Sequence, residues 1–152
     1  MATSMSGEGT RGDDGELRVV VGVDGSECGT RALAFAAHEA ALRGAVLHVV
    51  SAYGATPYVT AWPTVLLESD HQETGASIVD ESLAHARGLD DTLVSKGEIR
   101  YGSAGDVLVD VSHGATLLVV GSRGRGQIAS VLLGSVSEHC VHRAVCPITI
   151  VR

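Results

Sequence analysis

The chain has 152 residues, a formal net charge of −7 at pH 7 and a pI near 5.4, with 45% hydrophobic and 19% charged residues. That length suits one domain with a proper core, and the composition is that of a soluble globular protein. The acidic balance argues against a general nucleic-acid binder, and no apolar run approaches the roughly 20 residues that span a bilayer.

The amino terminus, "MATSMSGEGTRGDDGE", has no basic start followed by an apolar core, so it does not read as a secretory signal. Residues 1–16 are expected to form a disordered tail, and residues 17–152 a single folded domain. "LRVVVGV" (17–23) is a Val-rich run that stops at "DGSECG". Over 27–43, Leu33, Ala36, Ala37 and Ala40 recur at helical spacing, and Gly44 supplies a C-terminal stop. "AVLHVVSAY" (45–53) reads as a buried strand. A long link, 54–67, carries Pro57, Tyr58, Trp62 and Pro63, which suit a lid or contact surface better than catalysis. Residues 70–95 read as a helix, 98–101 as a short strand and 104–113 as a short helix. "ATLLVVG" (115–121) is a strand, 135–144 a helix and "PITIV" (147–151) a last strand.

Strands buried on both faces read as continuous apolar runs, and those at 17–23, 117–121 and 148–151 are of that kind. Their alternation with helices predicts an α/β fold: a single doubly wound domain with a five-stranded parallel sheet and helices on both faces. Such sheets bind ligands beyond the carboxyl ends of strands, where neighbouring connections diverge. Two connections stand out there, "VDGSECG" after the first strand and "GSRGRGQIASVLLGS" (121–135) after the fourth.

The second of these has the chemistry of a phosphate cradle. Glycines let backbone N–H groups approach an anion, and the following helix offers its positive end. Arg123 and Arg125 can add charge-assisted contacts. An ordinary turn explains part of it equally well, since Ser135 with Glu138 fits a capping box and Asp24 can form an Asp-Gly-Ser turn. There is no G-x-x-x-x-G-K-[ST], no G-x-G-x-x-G and no G-x-S-x-G. Lys96, the only lysine, is remote in sequence from both loops, which disfavours lysine-assisted phosphoryl transfer. His139, His142, Cys140 and Cys146 cluster in sequence without a second group to complete four ligands, so no metal site is expected. Cys28, Cys140 and Cys146 form no C-x-x-C pair, and a reducing, cytoplasmic setting fits them.

Two residues separate Gly121 from Gly124, nine separate Gly124 from Gly134, and Ser135 follows. With "VVVGVDGSE" near the start and "LLGSVSEHCVHRAVCPITIVR" at the end, this pattern resembles the universal stress proteins over residues 17–152. The resemblance implies strand order 3-2-1-4-5 and a bound ATP, with Mg2+, in a regulatory stress-response role. It further implies Asp24 at the adenosine end and backbone groups of Val49 at the adenine edge. Gly121, Gly124, Gly134, Ser135 and Val136 would lie along the phosphates. Gln127 departs from many close relatives, which have another glycine there. A homodimer through the C-terminal strand is also implied. A dimeric scaffold without nucleotide and a slow ATPase are the alternative functions, the latter lacking an evident general base beyond Asp24.

Overall fold

A computed structural model describes residues 15–54, 65–125 and 132–152, with side chains described throughout these except at 65–70. Most of the expected tail, the link residues Pro57, Tyr58, Trp62 and Pro63, and Gln127 lie outside the described residues. The elements in chain order are β1 (Arg18–Gly22), α1 (Glu27–Arg43), β2 (Val46–Tyr53), α2 (Val65–Leu89), β3 (Ser95–Tyr101), α3 (Ala104–Val111), β4 (Leu117–Gly121), α4 (Ser135–Arg143) and β5 (Ile148–Val151).

The five strands form one parallel sheet in the order β3-β2-β1-β4-β5. The unbroken apolar runs follow from this arrangement. In β1, Val19 and Val21 pack toward α1 and α2, while Val20 packs toward α3 and α4. In β4, Leu117 and Val119 take the first side, Leu118 and Val120 the second. Both strands are central, so neither face can be polar.

Helix α1 begins at Ser26, whose hydroxyl accepts from the Gly29 N–H at 3.1 Å. It ends at Gly44, whose left-handed φ of 59° turns the chain back into β2. The expected helix at 70–95 differs at both ends. It starts at Val65 and stops at Leu89, because the Asp90 carboxylate accepts from both the N–H (2.9 Å) and the hydroxyl (2.6 Å) of Thr92 and folds the chain into a turn. Strand β3 then begins at Ser95 rather than near 98, drawn out by pairing with β2 from Leu47↔Ser95 to Tyr53↔Tyr101. Among the described residues, no helix is long and apolar enough to cross a membrane.

Candidate nucleotide site

β1 and β4 are hydrogen-bonded neighbours in the middle of the sheet. The chain leaves β1 for α1 on one face and leaves β4 for α4 on the other. Their carboxyl ends therefore part and leave a crevice. A cavity of about 290 Å³ occupies that crevice. Eight of the nine residues expected at a ligand site line it: Asp24, Gly121, Arg123, Gly124, Arg125, Gly134, Ser135 and Val136.

Val49 is the ninth, and the structure does not bring it to the cavity. It is fully buried toward α1, in register between Val21 and Gly97. The next residue, Val50, lines the cavity together with Ala52, because alternate β2 residues face α3.

The first two glycines of the pattern have a steric reason. A Cβ at Gly121 would stand 2.9 Å from the Cys28 carbonyl carbon, so α1 could not pack against the end of β4. A Cβ at Gly124 would lie 2.7 Å from Asp24 Oδ2. The two loops thus touch through a glycine and a carboxylate. Asp24 Oδ1 accepts from the Ser26 N–H at 2.9 Å, the turn-forming role, and its Oδ2 faces the glycine loop. Gly25 takes φ 77°, and a side chain there would meet the Arg125 guanidinium, which passes 2.8 Å from the Cβ position.

The expected capping box at Ser135 is not formed. Gly134 is the N-cap of α4, with φ −74° and ψ 163°, and Ser135 is the first helical residue, exposed at the cavity. The reason is the way the loop closes. The Gly134 N–H donates to the Ser122 carbonyl at 2.6 Å, and the Gly134 carbonyl already accepts from the Glu138 N–H at 2.9 Å. The buried Ser137 hydroxyl lies 3.2 Å from the Ser122 carbonyl and 2.9 Å from that of Gly134. Ser122 is pinned in turn, its N–H donating to the Val151 carbonyl of β5 at 2.6 Å. Sequence reading missed this clasp and the cavity residues Val50, Ala52, Ala104 and Leu108. Only the serines flanking the loop hinted at it.

Three helix amino termini open on the cavity: α1 through Ser26 and Gly29, α3 through Ala104, and α4 through Gly134 to Ser137. Each carries partial positive charge and unpaired N–H groups. Arg123 and Arg125 add two cations, and Asp24 is the one carboxylate among the described lining residues. This is a donor-rich pocket suited to phosphate oxygens, with one acid able to accept from hydroxyls. The lining aliphatic groups of Val23, Val50, Leu108 and Val120 leave room for an apolar ring.

The histidines and cysteines of the carboxyl end behave separately. His139 Nε2 lies 2.9 Å from Asp106 Oδ1 on α3. Cys140 is fully buried, and burial pushes its thiol up to about 11. Among the described residues, no three His, Cys, Asp or Glu side chains gather where they could hold a metal.

The chain matches the Universal stress protein family over residues 17–152. It is 39% identical over 140 residues to universal stress protein Rv2005c of Mycobacterium tuberculosis, covering 88% of this chain and 47% of that protein. The chain thus spans about half the length of the curated relatives it matches. Among solved structures, universal stress protein UspA from Lactobacillus plantarum has a TM-score of 0.76 at 22% identity, covering 90% of this chain and 97% of that one. A universal stress protein solved in complex with cAMP has a TM-score of 0.70 at 30% identity, covering 90% and 97%.

Proposed function

The chain belongs to the universal stress protein family, and from that membership we propose that it is a regulatory nucleotide-binding domain of the stress response that takes ATP in the cavity between β1 and β4. The observation that carries the proposal is the convergence of Gly121, Gly124, Gly134 and Ser135 with Arg123 and Arg125 on one cavity. Backbone N–H groups of the glycine loop and of α4 would take the phosphates, with the two guanidinium groups neutralising their charge. Val50 and Ala52 would flank the base, and Asp24 would accept from the ribose hydroxyls. That the relative at 30% identity was solved with cAMP supports an adenine nucleotide as the class of ligand. Mg2+ would enter with the triphosphate, contributing charge neutralisation there.

The reading favours binding over turnover. Asp24 is the carboxylate at the site, and one of its oxygens already holds the Ser26 N–H. No histidine lines the cavity among the described residues. A protein that signals through its loaded state needs no general base.

Nucleotide extraction from the purified protein, followed by chromatography, tests the proposal. Adenine nucleotide near one per chain is expected. Its absence, with no uptake of added Mg-ATP, would favour a scaffold, and ADP recovered after loading with ATP would favour a slow hydrolase. Asp24→Asn should keep the turn, since the amide oxygen can still accept from Ser26, while losing the charged acceptor. Removal of a charged hydrogen-bonding partner costs about 1.5–3 kcal/mol, roughly ten- to a hundredfold in affinity. A variant that binds ATP as tightly as its parent would return Asp24 to turn formation alone.

Assembly as a homodimer is part of the proposal. Among the described residues β5 pairs only with β4, and Ile148 and Ile150 are half-buried at that sheet edge. An open apolar edge invites a second strand. Ile150→Lys should shift the protein toward monomer in light scattering at low micromolar concentration. A fully dimeric variant would place the interface elsewhere.

A further inference from the structure

We propose that His139 is a positioning residue for the nucleotide site, holding the amino termini of α3 and α4 at a fixed separation across the cavity. The inference rests on the nucleotide-binding reading above. Both helices contribute cavity walls at their first turns, α3 with Ala104 and Leu108, α4 with Ser135, Val136 and Ser137. His139 lies one turn into α4, and its imidazole bridges the pair.

Two contacts define the bridge. The ring lies against the first turn of α3, where a Cβ at Gly105 would stand 2.8 Å from ring carbons. Glycine in a helix costs roughly 0.5–1 kcal/mol relative to alanine, so its presence at a buried helical position calls for a packing reason, and the ring is that reason. The second contact is the approach of Nε2 to Asp106 Oδ1, at 2.9 Å. Asp106 is itself fixed, because its Oδ2 accepts from the hydroxyl of Ser103, the N-cap of α3, at 2.7 Å. That hydrogen bond, then the neighbouring His139 and Arg143, hold the Asp106 carboxyl below its ordinary range. The imidazole therefore meets α3 at the carboxylate that holds its N-cap hydroxyl.

The charges facing His139 are few. Asp106 faces it from α3, where the next acid, Asp110, is engaged with Arg100. Glu138, His142 and Arg143 share its own helix, and β5, which also packs on α4, carries no titratable side chain from Ile148 to Val151. Asp106 is 69% exposed, so the pair adds little to global stability. Its effect is geometric, on the spacing of two helix ends that must both reach one ligand.

The test uses the whole chain with Mg-ATP as probe, in calorimetric titrations alongside thermal melts. His139→Ala is expected to weaken binding by about fivefold or more while moving the melting midpoint by only a degree or two. His139→Gln, whose amide can still donate to Asp106, should recover most of the affinity. If the parent binds and both variants match it, the positioning role is overturned while the nucleotide reading stands. If His139→Ala loses affinity only together with a large fall in melting temperature, and glutamine restores neither, the residue is merely structural. If the parent itself takes up no ATP, the nucleotide reading fails first and the positioning role with it.

Discussion

Gly134→Asp is expected to leave a folded protein that no longer binds Mg-ATP. Residue 134 is the N-cap of α4 with φ −74° and ψ 163°, a conformation open to any residue, and aspartate is among the preferred N-caps. Its Cβ would stand 3.3 Å from the Ser122 carbonyl oxygen, which a shift of a few tenths of an ångström relieves. The carboxylate would then occupy the helix end that a phosphate needs. Two unit charges 4 Å apart repel by about 4 kcal/mol at an effective dielectric of about 20, more than a hundredfold in affinity. Titration calorimetry should show no heat, and a thermal melt should stay close to the parent. Gly134→Ala is the control for bulk, with a modest loss. Unchanged ATP affinity in the aspartate variant would sink the cradle assignment.

The second large effect is on stability in acid. His48, on β2, is 5% exposed, with Nε2 2.8 Å from Glu98 Oε2 and a buried Nδ1 that has no hydrogen-bond partner among the described residues. Burial lowers its imidazole from 6.5 to about 4, the attraction of Glu98 opposing that shift and the positive charges of Lys96 and Arg18 adding to it. The folded state therefore takes up the proton less readily than the unfolded chain. The neutral ring contributes its stability in full above about pH 6.5, and that contribution is lost as pH falls toward 4. The whole span is on the order of 3 kcal/mol. Denaturant unfolding at pH 7, 5.5 and 4.5 should show this decline in the parent, and His48→Leu should flatten it. An equally steep decline in His48→Leu would assign the acid sensitivity to other groups.

The fold was largely legible because β1 and β4 are central strands, and a strand covered on both sides has no alternative to an unbroken apolar run. Their positions relative to each other were not legible from pattern; strand order came from resemblance to a known family, and the sheet has that order. Edges misled where tertiary contacts decide. Ser95 to Gly97 carry weak strand signals yet extend β3, because β2 offers an open row of partners. Val49 and Val50 cannot be told apart by composition, and only the pleat sends Val50 to the cavity. Ser135 looks like a cap in sequence, but the N-cap is Gly134, whose N–H donates to the Ser122 carbonyl, and Ser135 is the first helical residue. The roles of Ser122 and Ser137 depend on groups fifteen residues apart meeting in space, which no local pattern encodes.

The closure between Ser122 and Gly134 separates the architecture of the sheet from the content of the loop. The chain leaves β4 and returns to α4 through one backbone hydrogen bond, and Ser122 is anchored independently to β5. The connection between Ser122 and Gly134 thus starts and ends at fixed points. Closing a longer excursion between the same two points adds only about 0.6 kcal/mol per doubling of length. Such a segment can be exchanged, lengthened or recoded for another ligand while the strands and α4 keep their places, which makes it the natural position for grafting new recognition onto this scaffold.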